Sequence, residues 1–292
     1  MIELDARTLA SLGDLELVAR RVVDGFMFGA HPSRLQGAGV EFSQYRSYQP
    51  GDDIRRIDWK LFARSDRYFL RESEVETSVT VRILLDASDS MRQAEDGVSK
   101  FEYARLLAAS LATLAFRQGD AVGLTALLAG GARSWPANRG RAHLGRLLRD
   151  LERLEPAGTW PGWKDAETAL LSGTGRSITF VLTDLYERNS EIRAALRKVA
   201  ALGNDVAVLH LVGRRELEFD YGDDVSFEEL ETGRTVDVSG GAVRAHYLAS
   251  LAAELRALEL DLGEQRIEYT RVRLDTPLDE ALRQTLARRQ QR

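Results

Sequence analysis

From Val79 onward, short β-branched apolar runs alternate with longer segments whose apolar residues recur at helical spacing. No other feature of the chain restricts its fold as strongly. Val79-Thr80-Val81-Arg82-Ile83-Leu84-Leu85 reads as a strand buried on both faces, because a strand with one wet face would alternate apolar with polar. Lys100 to Gln118 follows with Phe101, Ala104, Leu107, Ala108, Leu111 and Leu114 at helical spacing and Gly119 as the stop. Further strands are expected at 121–128, 177–182, 206–212 and 267–274. Further helices are expected at 143–154, 190–202, 242–262 and 277–289. Strand, helix and strand in succession build a parallel sheet with helices on both faces. The expected fold class is therefore α/β, with a Rossmann-like, mostly parallel sheet. The stretch 214–240 breaks the rhythm: Phe219, Tyr221, Phe227 and Val236 to Val238 predict short strands, as an irregular β-rich edge hairpin.

Residues 1–78 are written in another style, polar, aromatic and rich in turns. A helix is expected at about 8–24, then loops at Gly25, Gly29, Gly37 and Gly39, and extended pieces at 40–48 and 67–76. The reading divides the chain into an N-terminal extension with short strands, 1–78, and an α/β domain, 79–292.

Composition excludes several classes. A hydrophobic content of 44% with 29% charged residues is that of an ordinary globular protein. The net charge of -5 gives no reason to expect a nucleic-acid or membrane partner. Arginines outnumber lysines 36 to 4, but they are scattered, which reads as compositional bias rather than a phosphate site. Without cysteine there are no disulfides, thiolate nucleophiles or zinc-thiolate sites. Met1 to Arg21 mixes Glu3, Asp5, Asp14 and Glu16 with its apolar residues, unlike a signal peptide. No window approaches the roughly 18 apolar residues of a membrane span, so a cytoplasmic location without membrane insertion is expected.

Ligands of open parallel sheets sit at the carboxyl ends of the strands. Asp86-Ala87-Ser88-Asp89-Ser90 follows the first buried run, and Thr183-Asp184 follows 177–182. Two carboxylates thus leave two strands at one edge, with hydroxyls two and four residues beyond the first. Such oxygen donors suit Mg²⁺, Mn²⁺ or Ca²⁺ rather than softer metals. If the carboxylates act partly through water, the cation stays electrophilic and can take an Asp or Glu from a partner. The plainer alternative is that Asp86 or Ser88 caps the next helix.

Asp-x-Ser-x-Ser after an apolar strand, with a later strand ending in Asp, resembles the metal-ion-dependent adhesion site of the von Willebrand factor A family. The resemblance implies Ser88 and Ser90 as direct ligands and Asp86 and Asp184 as direct or water-mediated ones. It adds a loop threonine before a helix carrying Ala-Leu. Ala157-Gly158-Thr159 with Ala169-Leu170 fits that pattern, although Trp160-Pro161-Gly162-Trp163 lengthens the loop and leaves Thr168 as a second candidate.

A second stretch is more specific. Gly39-Val40-Glu41-Phe42, Tyr45-Arg46-Ser47-Tyr48, Pro50-Gly51-Asp52-Asp53-Ile54-Arg55-Arg56-Ile57-Asp58-Trp59 and Ala63-Arg64 is similar to the hallmark of the bacterial domain of unknown function 58 family. That resemblance implies a von Willebrand A-like domain and a MoxR-type AAA+ ATPase as partner, in chaperone-like maturation of client proteins. Physically, Pro50-Gly51 is a turn and Asp52 or Asp53 a helix N-cap. Trp59 and Phe62 are expected to bury that helix against the main domain.

The expected function is a metal-dependent protein-binding module, not an enzyme. One rival is a metal-independent scaffold. Another is a Mg²⁺-dependent, phosphatase-like hydrolase using Asp86, but such enzymes place a second Asp two residues on, where Ser88 stands. Gly173-Thr174-Gly175 precedes a strand and so lies on the wrong edge for a dinucleotide turn. His31, His143, His210 and His246 are far apart, and His210 reads as packing within a buried strand.

Overall fold

The computed structural model describes residues 6–10, 13–29, 44–49, 52–54, 57–72, 79–171, 177–186, 190–222, 224–230 and 234–287. The sequence readings at 39–43, 50–51, 55–56, 73–76 and 173–175 lie outside them. Two helices open the chain, α1 (Ala6–Ala10) and α2 (Leu15–Gly29), where one was expected. Gly13, at a φ of 65°, turns the chain between them, and Asp14 caps α2 by accepting from the Leu17 N–H at 2.9 Å.

Residues 30–78 form a small unit of their own. It holds β1 (Gln44–Ser47), α3 (Trp59–Ser65) and β2 (Phe69–Glu72), with the two strands antiparallel. The cap of α3 is Asp58, which accepts from the Leu61 N–H at 3.0 Å. Neither Asp52 nor Asp53 has that place; Asp52 closes the preceding turn by accepting from the Gln49 N–H at 2.8 Å. Trp59 is 58% exposed rather than buried, and meets Phe62 and Tyr68 edge-on at 6.1 and 6.5 Å.

The other unit groups Met1–Gly29 with Val79–Arg292. The first helices therefore fall with the α/β domain and not with the extension in which the sequence reading placed them. After α1 and α2 it contains β3 (Thr80–Asp86), a 3-10 turn (Asp89–Arg92), β4 (Ala94–Glu95), β5 (Val98–Ser99) and α4 (Lys100–Arg117). Then come β6 (Ala121–Leu128), β7 (Gly131–Asn138), α5 (Arg141–Glu152), α6 (Trp163–Leu170), β8 (Ser177–Thr183), α7 (Glu191–Ala201) and β9 (Asp205–Val212). The chain ends with α8 (Arg214–Glu218), β10 (Asp224–Glu229), β11 (Arg234–Ser239), α9 (Gly240–Glu264), β12 (Glu268–Arg273) and α10 (Leu278–Ala287).

Six strands form one sheet in the order β12-β9-β8-β3-β6-β7. All neighbours are parallel except β6 and β7. The α/β class and the mostly parallel sheet are as expected. Along β3, Val81, Ile83 and Leu85 join the core under α2, α4, α5 and α10, while Leu84 joins the core under α6, α7 and α9. Two covered faces explain the unbroken apolar run. Helix α4 starts from a capping box: Ser99 Oγ accepts from the Glu102 N–H at 3.0 Å, and Glu102 Oε2 accepts from the Ser99 N–H at 2.9 Å. β10 and β11 do form a hairpin within 214–240, but among the described strands they pair only with each other. The sheet's edges are β12 and β7.

Candidate functional site

β3 and β8 are hydrogen-bonded neighbours in parallel register, Leu85 opposite Leu182. Asp86 and Thr183-Asp184 therefore leave the sheet side by side at its carboxyl edge. Asp86, Ser88, Ser90 and Asp184 are 1%, 2%, 8% and 9% exposed, so their oxygens are largely removed from water.

A continuous hydrogen-bonded chain joins the four. Asp86 Oδ1 accepts from the Ser88 N–H at 3.0 Å and from Ser88 Oγ at 2.7 Å. Asp86 Oδ2 accepts from Thr183 Oγ1 at 2.6 Å. Ser88 Oγ lies 3.0 Å from Ser90 Oγ, which donates to Asp184 Oδ1 at 3.3 Å. Asp184 Oδ1 also accepts from the Tyr186 N–H at 3.1 Å. The capping alternative fails on geometry, because Ser88 stands before the 3-10 turn but its side chain makes no cap bond. It turns back to Asp86 instead.

Asp184 has a second neighbour, Lys100, the first residue of α4. The buried Lys100 ammonium lies 3.5 Å from Asp184 Oδ2 and 2.8 Å from Glu216 Oε1 on α8. Burial works against its charge, but the carboxylates of Asp184 and Glu216 outweigh burial and hold its pKa above the usual lysine value. Burial, and then the charge of Asp184, push the Asp86 carboxyl up to about 7, against the opposing hydrogen bonds from Thr183 and Ser88. His210 behaves as read: it is buried, its Nδ1 lies 2.7 Å from the Tyr269 hydroxyl, and burial and then Lys100 lower its pKa to about 4. It is a neutral packing residue at neutral pH.

The loop before Thr159 is sewn to the Asp86 turn. The Ala157 N–H donates to Ala87 O at 2.7 Å, the Asp89 N–H to Gly158 O at 2.6 Å, and the Gly158 N–H to Asp89 Oδ2 at 2.7 Å. Thr159 follows directly and is exposed, with no hydrogen bond to the four oxygens among the described residues. Thr168 is also exposed, in the body of α6. The extra length of this loop has a packing reason, since Trp160 is buried and Trp163 packs against the same core. The sequence reading missed the roles of Thr183, Lys100 and Glu216. Lys100 left a faint signal, as one of 4 lysines beside 36 arginines.

Among the described residues there is no group of three or more His, Cys, Asp or Glu placed to hold a metal. The donor set here is two carboxylates and two hydroxyls, which is oxygen-only chemistry. Neighbouring ligands of an octahedral Mg²⁺, each about 2.1 Å from the ion, stand about 3.0 Å apart. The gaps of 3.0 Å between the two serine oxygens and 3.3 Å between Ser90 and Asp184 are of that size. By donor type, oxygen only, the four residues suit a small hard cation, and the spacings are equally those of the hydrogen bonds that join them.

The family model "Protein of unknown function DUF58" matches residues 44–257. The chain belongs to the DUF58 family. Curated relatives include the uncharacterized proteins Rv1480 of Mycobacterium tuberculosis (strain ATCC 25618 / H37Rv) and Mb1516 of Mycobacterium bovis (strain ATCC BAA-935 / AF2122/97). Each is 29% identical over 259 residues, covering 87% of this chain and 80% of the relative. Similar solved structures include BatB from Bacteroides thetaiotaomicron, 18% identical at a TM-score of 0.45, covering 74% of this chain and 100% of that one. The SpRpn10 VWA domain is 13% identical at a TM-score of 0.41, covering 71% of this chain and 95% of that one. Likeness of that degree carries no weight for function. The DUF58 chain has an α/β fold built on a mostly parallel six-stranded sheet, and no helix among its described residues is long and apolar enough to cross a membrane.

Proposed function

We propose that this DUF58 protein is a protein-interaction module that holds a divalent cation, Mg²⁺ before Mn²⁺ or Ca²⁺, at Asp86, Ser88, Ser90 and Asp184. The observation that supports it most is the buried chain of oxygens from two neighbouring strand ends. Burial first, and then repulsion from Asp184, pushes the Asp86 carboxyl up to about 7. A cation would relieve that repulsion. Ser88 and Ser90 add neutral donors, so the two carboxylates balance the dication and no excess negative charge blunts it. When bound, the cation supplies an electrophilic coordination position, open to a carboxylate of a partner protein. Thr159, held near the turn by Gly158, is the candidate for a switchable fifth donor.

The DUF58 resemblance carries the identity of the partner: a MoxR-type AAA+ ATPase, a client protein, or both, met in the cytoplasm. This reading assigns the chain no catalysis. Ser88 donates its hydroxyl proton to Asp86 rather than standing as an acid for a leaving group, which disfavours phosphatase chemistry.

The test is a set of thermal melts with Mg²⁺, Mn²⁺, Ca²⁺ or chelator, on wild type and Asp86→Asn. A cation at a hundred times its dissociation constant is expected to stabilise the wild type by about 2.7 kcal/mol and Asp86→Asn not at all. No response in the wild type would leave a metal-independent scaffold. Phosphate-ester turnover lost in Asp86→Asn would favour the hydrolase.

A further inference from the structure

Helix α9 carries Leu248, Leu251, Leu255, Leu258 and Leu262, spaced alternately by three and four residues. Such a stripe belongs to a helix that packs along its length. Its two ends are treated differently. Leu262 is buried, and Leu258 packs beside it in the core that also takes Tyr269 of β12. Leu248, Leu251 and Leu255 instead line a groove of about 630 Å³, whose other walls include Leu217 of α8 and strand β12.

The strand wall is the last strand of the sheet, and no described strand pairs with its outer edge. An unpaired edge offers backbone donors and acceptors to an added segment. The polar lining is uneven, with Arg256, Arg271 and Arg273 against Glu259. Arg273 is held by Asp275, its Nε 2.8 Å from Asp275 Oδ1. Arg256 and Arg271 are exposed and form no ion pair among the described residues.

We propose that this groove docks an acidic, leucine-bearing peptide segment of a partner protein, laid along β12. The leucines would take up its apolar side chains, which gains free energy in proportion to the area removed from water. Arg256 and Arg271 would take its carboxylates, each guanidinium in a two-point hydrogen bond. A second copy of this chain is a poorer occupant. A two-fold contact sets the same patch against itself, and this patch is predominantly cationic. The groove makes no use of the oxygen cluster, so docking is expected with or without a divalent cation.

The test starts from a random displayed peptide library, selected on the full-length protein in chelator. Enriched peptides are then titrated by fluorescence anisotropy into wild type, Arg256→Glu/Arg271→Glu and Arg271→Gln, each first checked for an unchanged melting temperature. The selected peptides are expected to combine Asp or Glu with leucine or aromatic residues. Their affinity is expected to fall roughly tenfold or more in the double variant, less in Arg271→Gln, and further as salt is raised. Peptides with Lys in place of the acids are expected to prefer the double variant. Failure to enrich, enrichment without acidic residues, or equal affinity for all variants would overturn the proposal. So would light scattering that shows a wild-type dimer dissociated by Arg256→Glu/Arg271→Glu, since the occupant would then be a second copy.

Discussion

Lys100 sets the charge balance of the oxygen cluster. With its ammonium between Asp184 and Glu216, three buried or half-buried charges partly cancel. Lys100→Met leaves the two carboxylates uncompensated. Breaking a buried pair in this way costs about 3 kcal/mol, so the variant is expected to unfold at lower denaturant in the presence of chelator. The same change removes a positive charge beside the proposed cation ligand. Calorimetric titration with Mn²⁺ is therefore expected to show tighter binding than wild type. Weaker binding would mean that Lys100 chiefly holds Asp184 in place. At this scale the sequence was partly legible. Asp86, Ser88, Ser90 and Asp184 could be grouped because strand ends of a parallel sheet share an edge and local spacing fixes the turn. Lys100 and Glu216 are 84 and 116 positions from the groups they pair with, and no spacing rule reaches across those distances.

At the scale of elements, the loop from α5 to α6 decides how the Asp86 turn is held. Gly158 has a φ of 65°, and a Cβ placed on it would lie 2.3 Å from the Ala129 Cβ. Its carbonyl and N–H are both spent on Asp89. Gly158→Val meets both a left-handed backbone and a steric clash, and is expected to cost about 3 kcal/mol in denaturant unfolding. Because Thr159 follows, the variant is also expected to lose cation stabilisation in thermal melts. A fully stable variant would show that the loop has room to move. Periodicity found the long elements here and missed those governed by other forces. Strand β7 was not read because it is an edge strand with Pro136 and only one fully buried residue, so it carries no apolar run. The opening helix was read as one because Gly13 alone marks the break. The 214–240 hairpin was read as a hairpin, but composition does not say which neighbour a strand pairs with.

At the scale of the whole molecule, α4 explains why the first residues belong with the last two hundred. Fourteen of its eighteen residues are buried, more than one sheet face can cover. The remainder lies under α2, α5 and α10. The sequence shows that α2 has an apolar stripe but not what the stripe meets, which is why a boundary after residue 78 looked sufficient. Leu15, Val18, Val22, Val23 and Phe26 are all buried in the shared core. At roughly 1.5–3 kcal/mol for each buried aliphatic or aromatic side chain, their loss is on the order of 10 kcal/mol. That is comparable to the whole stability of an ordinary domain, about 5–15 kcal/mol. A chain that starts at residue 30 is therefore expected to lose its cooperative melt and to bind a hydrophobic dye, whereas Val22→Ala, which removes part of one side chain, is expected to stay folded with a loss of about 2 kcal/mol. A cooperative melt at the wild-type temperature for the truncated chain would mean that α4 needs no cover from α2. A collapse confined to the truncated chain would tie the N-terminal helices to the same folding unit as the sheet that carries Asp86 and Asp184.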